Sequence, residues 1–119
     1  MSRSTRELRL EAEELWPALH QFLGCYLHQD WPDDHISPEG AIDAAISDNP
    51  VEILEAVTRE WWDWNAKKGA LFDPRSAINE GLGVEVVFES PLEARQFMNS
   101  VYDKLIISIR GERGEHWKP

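Results

Sequence analysis

Leu8, Leu15, Leu19, Phe22, Leu23 and Tyr26 recur at spacings of three, four and seven along the first stretch of the chain. That is the period of a helix with one buried side. Pro17 interrupts it, and a proline pushes the residue before it, Trp16, out of helical geometry. The pattern predicts a short N-terminal helix, opened by a Ser4–Glu7 capping box, and a second from Pro17 to about His28. One kinked helix is the alternative. Residues 29–37 are polar and predict a loop. Ser37-Pro38-Glu39 then supply a cap, a proline for the first helical position and an acid for the first turn. The helix they open reaches about Ser47. Asn49-Pro50-Val51-Glu52 repeats that chemistry for a helix that runs to about Lys68 and stops at Gly69. On it Ile53, Leu54, Val57, Trp61 and Trp64 fall on one side, a core stripe.

Residues 69–83 carry Gly, Asp-Pro and Asn-Glu-Gly punctuation and predict a loop, with room for a helical turn at Arg75–Asn79. Val84–Phe88 is β-branched and aromatic, which favours a short strand or a merely extended segment. Ser90-Pro91-Leu92-Glu93 is a third helix start, followed by the stripe Ala94, Phe97, Met98, Val101 and Leu105. Ile106–Ile109 either finish that helix or leave it as a strand beside residues 84–88. Residues 111–119 are expected to form a mobile tail. The fold class is therefore mostly α: a single small domain over residues 1–119, a bundle of four or five helices. A short strand or hairpin near residues 84–88 and 106–109 stays open.

Composition changes the picture through its charge. Hydrophobic residues make up 42% of the 119 and charged residues 29%, a globular balance. Twelve Lys and Arg stand against 22 Asp and Glu, for a net charge of −10. A chain this acidic is repelled by phosphate backbones and anionic membrane surfaces. No run is apolar enough to span a membrane or to serve as a signal peptide, so a cytoplasmic location is expected. The single cysteine, Cys25, fits a reducing compartment.

The acids are unevenly placed. No Lys or Arg occurs from Leu10 to Thr58, a stretch that holds Glu11, Glu13, Glu14, Asp30, Asp33, Asp34, Glu39, Asp43, Asp48, Glu52 and Glu55. If its helices are neighbours in space, these residues form one negative face that attracts a basic protein. Asp33, Asp34, Glu39, Asp43, Asp48, Glu52 and Glu55 are the candidate contacts. Trp62 joins them, because it shares a helix side with Glu52, Glu55 and Arg59. Cover by the N-terminal segment is the plainer fate of Trp62; an interface anchor is the sharper one.

Signs of catalysis are sparse. Cys25, His28 and Asp30 suggest a nucleophile, base and orienter, but nothing nearby supplies an oxyanion hole. His20 and His28 would be separated by about 12 Å along a helix, too far to share a metal ion. A site built from His28, His35 and a loop aspartate stays open as a minor reading. Gly81-Leu82-Gly83 precedes the extended stretch, the wrong order for a phosphate loop. Neither a metal nor a cofactor is expected.

The stretch Leu19-His-Gln-Phe-Leu-Gly-Cys-Tyr-Leu-His-Gln-Asp-Trp31 resembles the "QFLGxYxHQDW" block of contact-dependent growth inhibition immunity proteins. In that family the block precedes a loop and a helix opening like Ser37-Pro-Glu-Gly-Ala-Ile-Asp-Ala-Ala-Ile46, and both are present here in that order. The likeness is strongest over residues 15–48, extends to about residue 68 and fades beyond. Leu27 stands where the family often has Phe. Within the block, Phe22, Gly24, Tyr26, His28, Gln29, Asp30 and Trp31 read as scaffold: a folding corner in which Asp30 caps backbone N–H groups and Trp31 packs.

The resemblance implies a cytosolic protein without catalytic activity. Such proteins bind the C-terminal toxin domain of a large secreted protein and block it, and many such toxins are nucleases. An acidic adaptor or nucleic-acid mimic for another basic partner is the alternative from residues alone. A small metal-dependent enzyme using His28 and His35 comes third.

Overall fold

The structure, a computed structural model, describes residues 3–119. Helix α5 (Val51–Trp64) is the central strut. Leu54, Val57, Trp61 and Trp64 are buried along it, as the stripe predicts, whereas Ile53 stays 44% exposed at the edge. Helices α2 (Pro17–Tyr26) and α6 (Pro91–Arg113) pack against α5. Helix α4 (Pro38–Asp48) packs against both α2 and α6. Helix α1 (Arg3–Leu15) lies on α2 and on a π-helical turn at Ala77–Gly81. A short helix α3 (Trp31–Asp34) sits within the stretch expected to be loop. The radius of gyration is 13.7 Å, close to the roughly 13.5 Å of a compact domain of this length.

Helix boundaries follow the local chemistry, with exceptions. The Ser37 and Ser90 hydroxyls accept from the Gly40 and Glu93 N–H groups at 3.0 and 3.1 Å. Trp16 leaves helical geometry ahead of Pro17, at φ −133° and ψ 55°. Its side chain is buried, and its indole N–H donates to Asp63 at 2.8 Å. Trp16 has no side-chain oxygen to cap α2. The Glu60 carboxylate, reaching from α5, accepts the Leu19 N–H at 3.0 Å instead.

Two expected caps are displaced. Among the described residues α1 already runs at Arg3, so Ser4 lies inside it rather than at its start. Asn49 does not cap α5; its amide turns back to the Ala45 carbonyl at 2.7 Å, and Pro50 stands at the N-cap without a side-chain bond. The α5 helix also ends sooner than Lys68, passing at Asn65–Gly69 into a π-helical turn.

The open question of a strand resolves against one. Residues 84–88 are extended, yet among the described residues they pair with no strand. Their backbone groups are satisfied in other ways. Asn79 donates to the Val84 and Val86 carbonyls at 2.8 Å each. The Glu85 N–H donates to the Leu27 carbonyl at 2.8 Å, and the Trp31 indole N–H donates to the Glu85 carbonyl at 2.7 Å. Gly83, at φ +72°, makes the turn into this segment, a conformation that side chains resist. Ile106–Ile109 continue α6, and α6 runs on to Arg113, past Gly111 where the tail was expected to begin. After it the chain folds back: Arg110 donates to the Trp117 carbonyl at 3.1 Å.

Candidate functional site

The residues of the 19–31 block form a corner. Phe22 and Leu23 are buried in the core. A Cβ added at Gly24 would stand 3.6 Å from the Leu82 carbonyl oxygen, so α2 and the 82–88 stretch pass at contact distance. Leu27 and Trp31 hold that stretch through Glu85, as described above. The expected cap reverses here. Asp30 makes no side-chain bond to α3; its own N–H is taken by His28 Nδ1 at 3.1 Å. Gln29 is exposed. The Tyr26 hydroxyl donates to Asp48 at 2.9 Å. Burial, with the Asp48 bond and charge, pushes the Tyr26 phenol above its ordinary pKa.

The candidate acids divide into three kinds. Asp33, Asp34 and Glu39 are exposed, and none of them forms an ion pair among the described residues. Asp48 is exposed but holds Tyr26. The others have been met by cations from the far end of the chain. Lys104 reaches Asp43 at 2.8 Å, and Arg113 reaches Glu52 at 3.4 Å and Glu55 at 3.2 Å. Glu55 foremost, with Glu52, raises the Arg113 pKa. The base-free half of the sequence is therefore not base-free in space. Helix α6 packs on α4 and α5 and carries cations to their acids.

Trp62 is 49% exposed. Among the described residues the N-terminal segment does not enclose it, contrary to the plainer expectation. Its neighbours are Tyr102 of α6, edge-on with ring centroids 5.8 Å apart, and Trp61 beside it in the chain. Its indole N–H lies 3.3 Å from the Tyr102 hydroxyl.

One residue that charge counting passed over stands out. Ile36 is fully exposed, two residues after Asp34 and three before Glu39. The backbone at His35 is extended, at φ −136° and ψ 144°, where α3 ends. The sequence signal was present: one isoleucine following the polar run Asp33-Asp34-His35. Other missed contributors are Lys104 and Arg113, whose partners are about 60 residues away in the chain.

Among the described residues, no three His, Cys, Asp or Glu side chains gather so as to hold a metal ion. His28, His35 and the loop aspartates do not converge. His35 lies instead against Tyr26, with ring centroids 6.4 Å apart. Cys25 is exposed and has no hydrogen bond to His28 among the described residues. No described helix is long and apolar enough to cross a membrane. What the geometry offers is a polar surface with an apolar point and unneutralised carboxylates, the means of attracting and holding a basic partner.

A family model described as CdiI immunity protein matches residues 15–105. The match begins where the block's likeness begins and extends through the 84–88 segment and most of α6. No curated protein and no solved structure matches the chain.

Proposed function

The chain belongs to the CdiI immunity protein family, and on that premise we propose that it neutralises a cognate contact-dependent growth inhibition toxin by binding its basic surface. A nuclease is the toxin class that fits best. Such an enzyme must hold phosphates, so its substrate cleft is lined with cations. The carrying observation is the corner at Asp33, Asp34 and Glu39, exposed, without ion pairs among the described residues, and flanking the exposed Ile36 in the chain.

The physical division of labour follows from burial. Unpaired surface carboxylates raise the encounter rate and make it sensitive to salt. An apolar side chain that becomes buried lengthens the life of the complex. Ile36 is exposed at a cost in water and gains by being covered. Membership implies a protein partner and asks for no chemistry of its own from the chain. In this reading the protein acts in the cytosol of the cell that makes the toxin.

Co-expression with the toxin encoded beside it tests the proposal. Growth is restored if the reading holds. Continued toxicity with both proteins soluble sinks it.

A further inference from the structure

Arg59, Trp62, Tyr102, Arg110, Lys118 and Pro119 line a groove of about 450 Å³ where the seam of α5 and α6 meets the C-terminal segment. Its charge runs against that of the molecule. The chain carries −10 overall, yet no carboxylate pairs with Arg59, Arg110 or Lys118 among the described residues. Lys104 and Arg113 found acids within reach; these three cations did not.

Both guanidiniums are held in place while keeping donors free. Arg59 lies over the Trp117 ring at 5.7 Å from its centroid. Stacking leaves the in-plane N–H groups available to an acceptor. Arg110 spends its Nε on the Trp117 carbonyl and retains its two terminal nitrogens. Trp62 and Tyr102, set edge to face, form an amphipathic wall beside them. A carboxylate entering the groove would meet two pre-oriented guanidiniums with water excluded from one side, the setting in which such pairs are strong.

We propose that this groove receives an acidic segment of the toxin, as a second and oppositely charged contact beside the acidic corner; the inference rests on the function proposed above. The composition favours a protein occupant, since Trp, Tyr and Arg are the residues enriched at binding hot spots. The corner lacks such anchors. A long polyanion is disfavoured by the acids elsewhere on the molecule. At roughly 100° per residue, Tyr102 and Arg110 lie on the side of α6 turned away from Lys104 and α4. The groove and the corner are therefore separate contacts.

The test uses the sign of the effect. Against a basic toxin with no acidic segment in the groove, removing cations from the chain leaves binding unchanged or tightens it. If the groove holds an acidic segment, Arg59→Ala with Arg110→Ala raises the dissociation rate by roughly tenfold or more, with little change in the association rate. Lys118→Glu, at an exposed tail position that the fold does not need, raises the dissociation rate in the same direction. Unchanged or slower dissociation in both variants overturns the groove assignment while leaving the function intact. A wild-type chain that does not bind the toxin at all overturns the function, and this inference with it.

Discussion

Two sets of acids, close in sequence and alike in composition, meet different fates. Asp33, Asp34 and Glu39 stand on α3 and at the start of α4, exposed and with no ion pair among the described residues. Asp43, Glu52 and Glu55 lie on the flanks of α4 and α5 and are bridged by Lys104 and Arg113. The difference is not in the residues but in what packs beside them. Helix α6 runs along α4 and α5, and its cations reach only the acids it passes. A charge becomes a steering charge when no neighbour neutralises it, and a chain's linear order does not reveal its neighbours. The packed seam and the open corner are thus expected to respond differently to mutation.

The largest effect comes from breaking the seam itself. Trp61 is buried and donates its indole N–H to the Met98 carbonyl at 2.9 Å. Its ring stacks near Tyr102 at 4.6 Å. Trp61→Ala should lower stability by about 3–5 kcal/mol, as read by denaturant unfolding. Trp62→Ala, next to it but half exposed, should cost about 1 kcal/mol or less. Equal losses would show that the seam has no separate inside and outside, and would end the distinction between a structural tryptophan and one available to a partner.

Reversing the corner is the next largest. Asp33→Lys, Asp34→Lys and Glu39→Lys together should slow association with the toxin by roughly tenfold at low salt and flatten its salt dependence. Stability should fall only modestly, by about 0.3–1 kcal/mol for Glu39 in the first turn of α4, since none of the three carries an ion pair among the described residues. Reversing Asp43 or Glu52, which lie outside the corner, should slow association less and should instead cost stability, because each loses an ion pair and sets a lysine beside Lys104 or Arg113. If the bridged acids matter as much as the free ones, the division proposed here is wrong.

Some of this was legible in the sequence and some was not. Helix starts were, because a serine followed by proline and an acid satisfies orphan N–H groups locally, as Ser37 and Ser90 do. The core stripe of α5 was, except for Ile53 at its margin. The family block was, although the inner logic of its corner differs: His28, not Asp30, supplies the local acceptor. What sequence could not disclose is whatever depends on distant partners. The 84–88 segment reads as a strand lacking a mate because Asn79, Trp31 and Leu27 do the work of one. The charge pattern reads as one face because the cations that divide it come from residues 104 and 113.

A smaller effect sharpens the contrast by turning one kind of acid into the other. Lys104→Ala frees Asp43 while leaving α4 and α6 packed. An exposed pair of this kind is worth about 0–1 kcal/mol, so stability should fall by no more than that. Association with a basic toxin should quicken by about twofold at low salt, as one more carboxylate joins the field. Stopped-flow mixing at two ionic strengths reads the change. A slower association would mean that Lys104 itself touches the partner.

The smallest effect concerns acids that belong to neither set. Glu60 and Asp63 sit one turn apart on α5 and serve the junction of α1 and α2, yet their pKa values move in opposite directions. Burial raises Glu60 above 4.5, outweighing the N–H bonds from Leu19 and Ala18. The Trp16 indole bond, then Lys67, lowers Asp63 below 3.8. A carboxylate whose folded pKa is raised favours the folded state below its unfolded pKa, and that contribution is lost as pH rises through the folded value. Ionised Glu60 is therefore a small burden at neutral pH. Glu60→Gln, which keeps an oxygen for Leu19, should raise the unfolding temperature slightly at pH 7, and the gain should vanish below about pH 4.5. Asp63 has the reverse sign: its contribution is present above about pH 3.8 and lost as pH falls through its lowered value. Asp63→Asn should be less stable at pH 7 and approach the wild type in acid. Unfolding temperatures of the two variants across pH 2.5–7 should thus diverge from the wild type in opposite directions as pH rises. Parallel curves would mean that the junction is held by packing of Trp16 alone, and that these two carboxylates are as free as those of the corner.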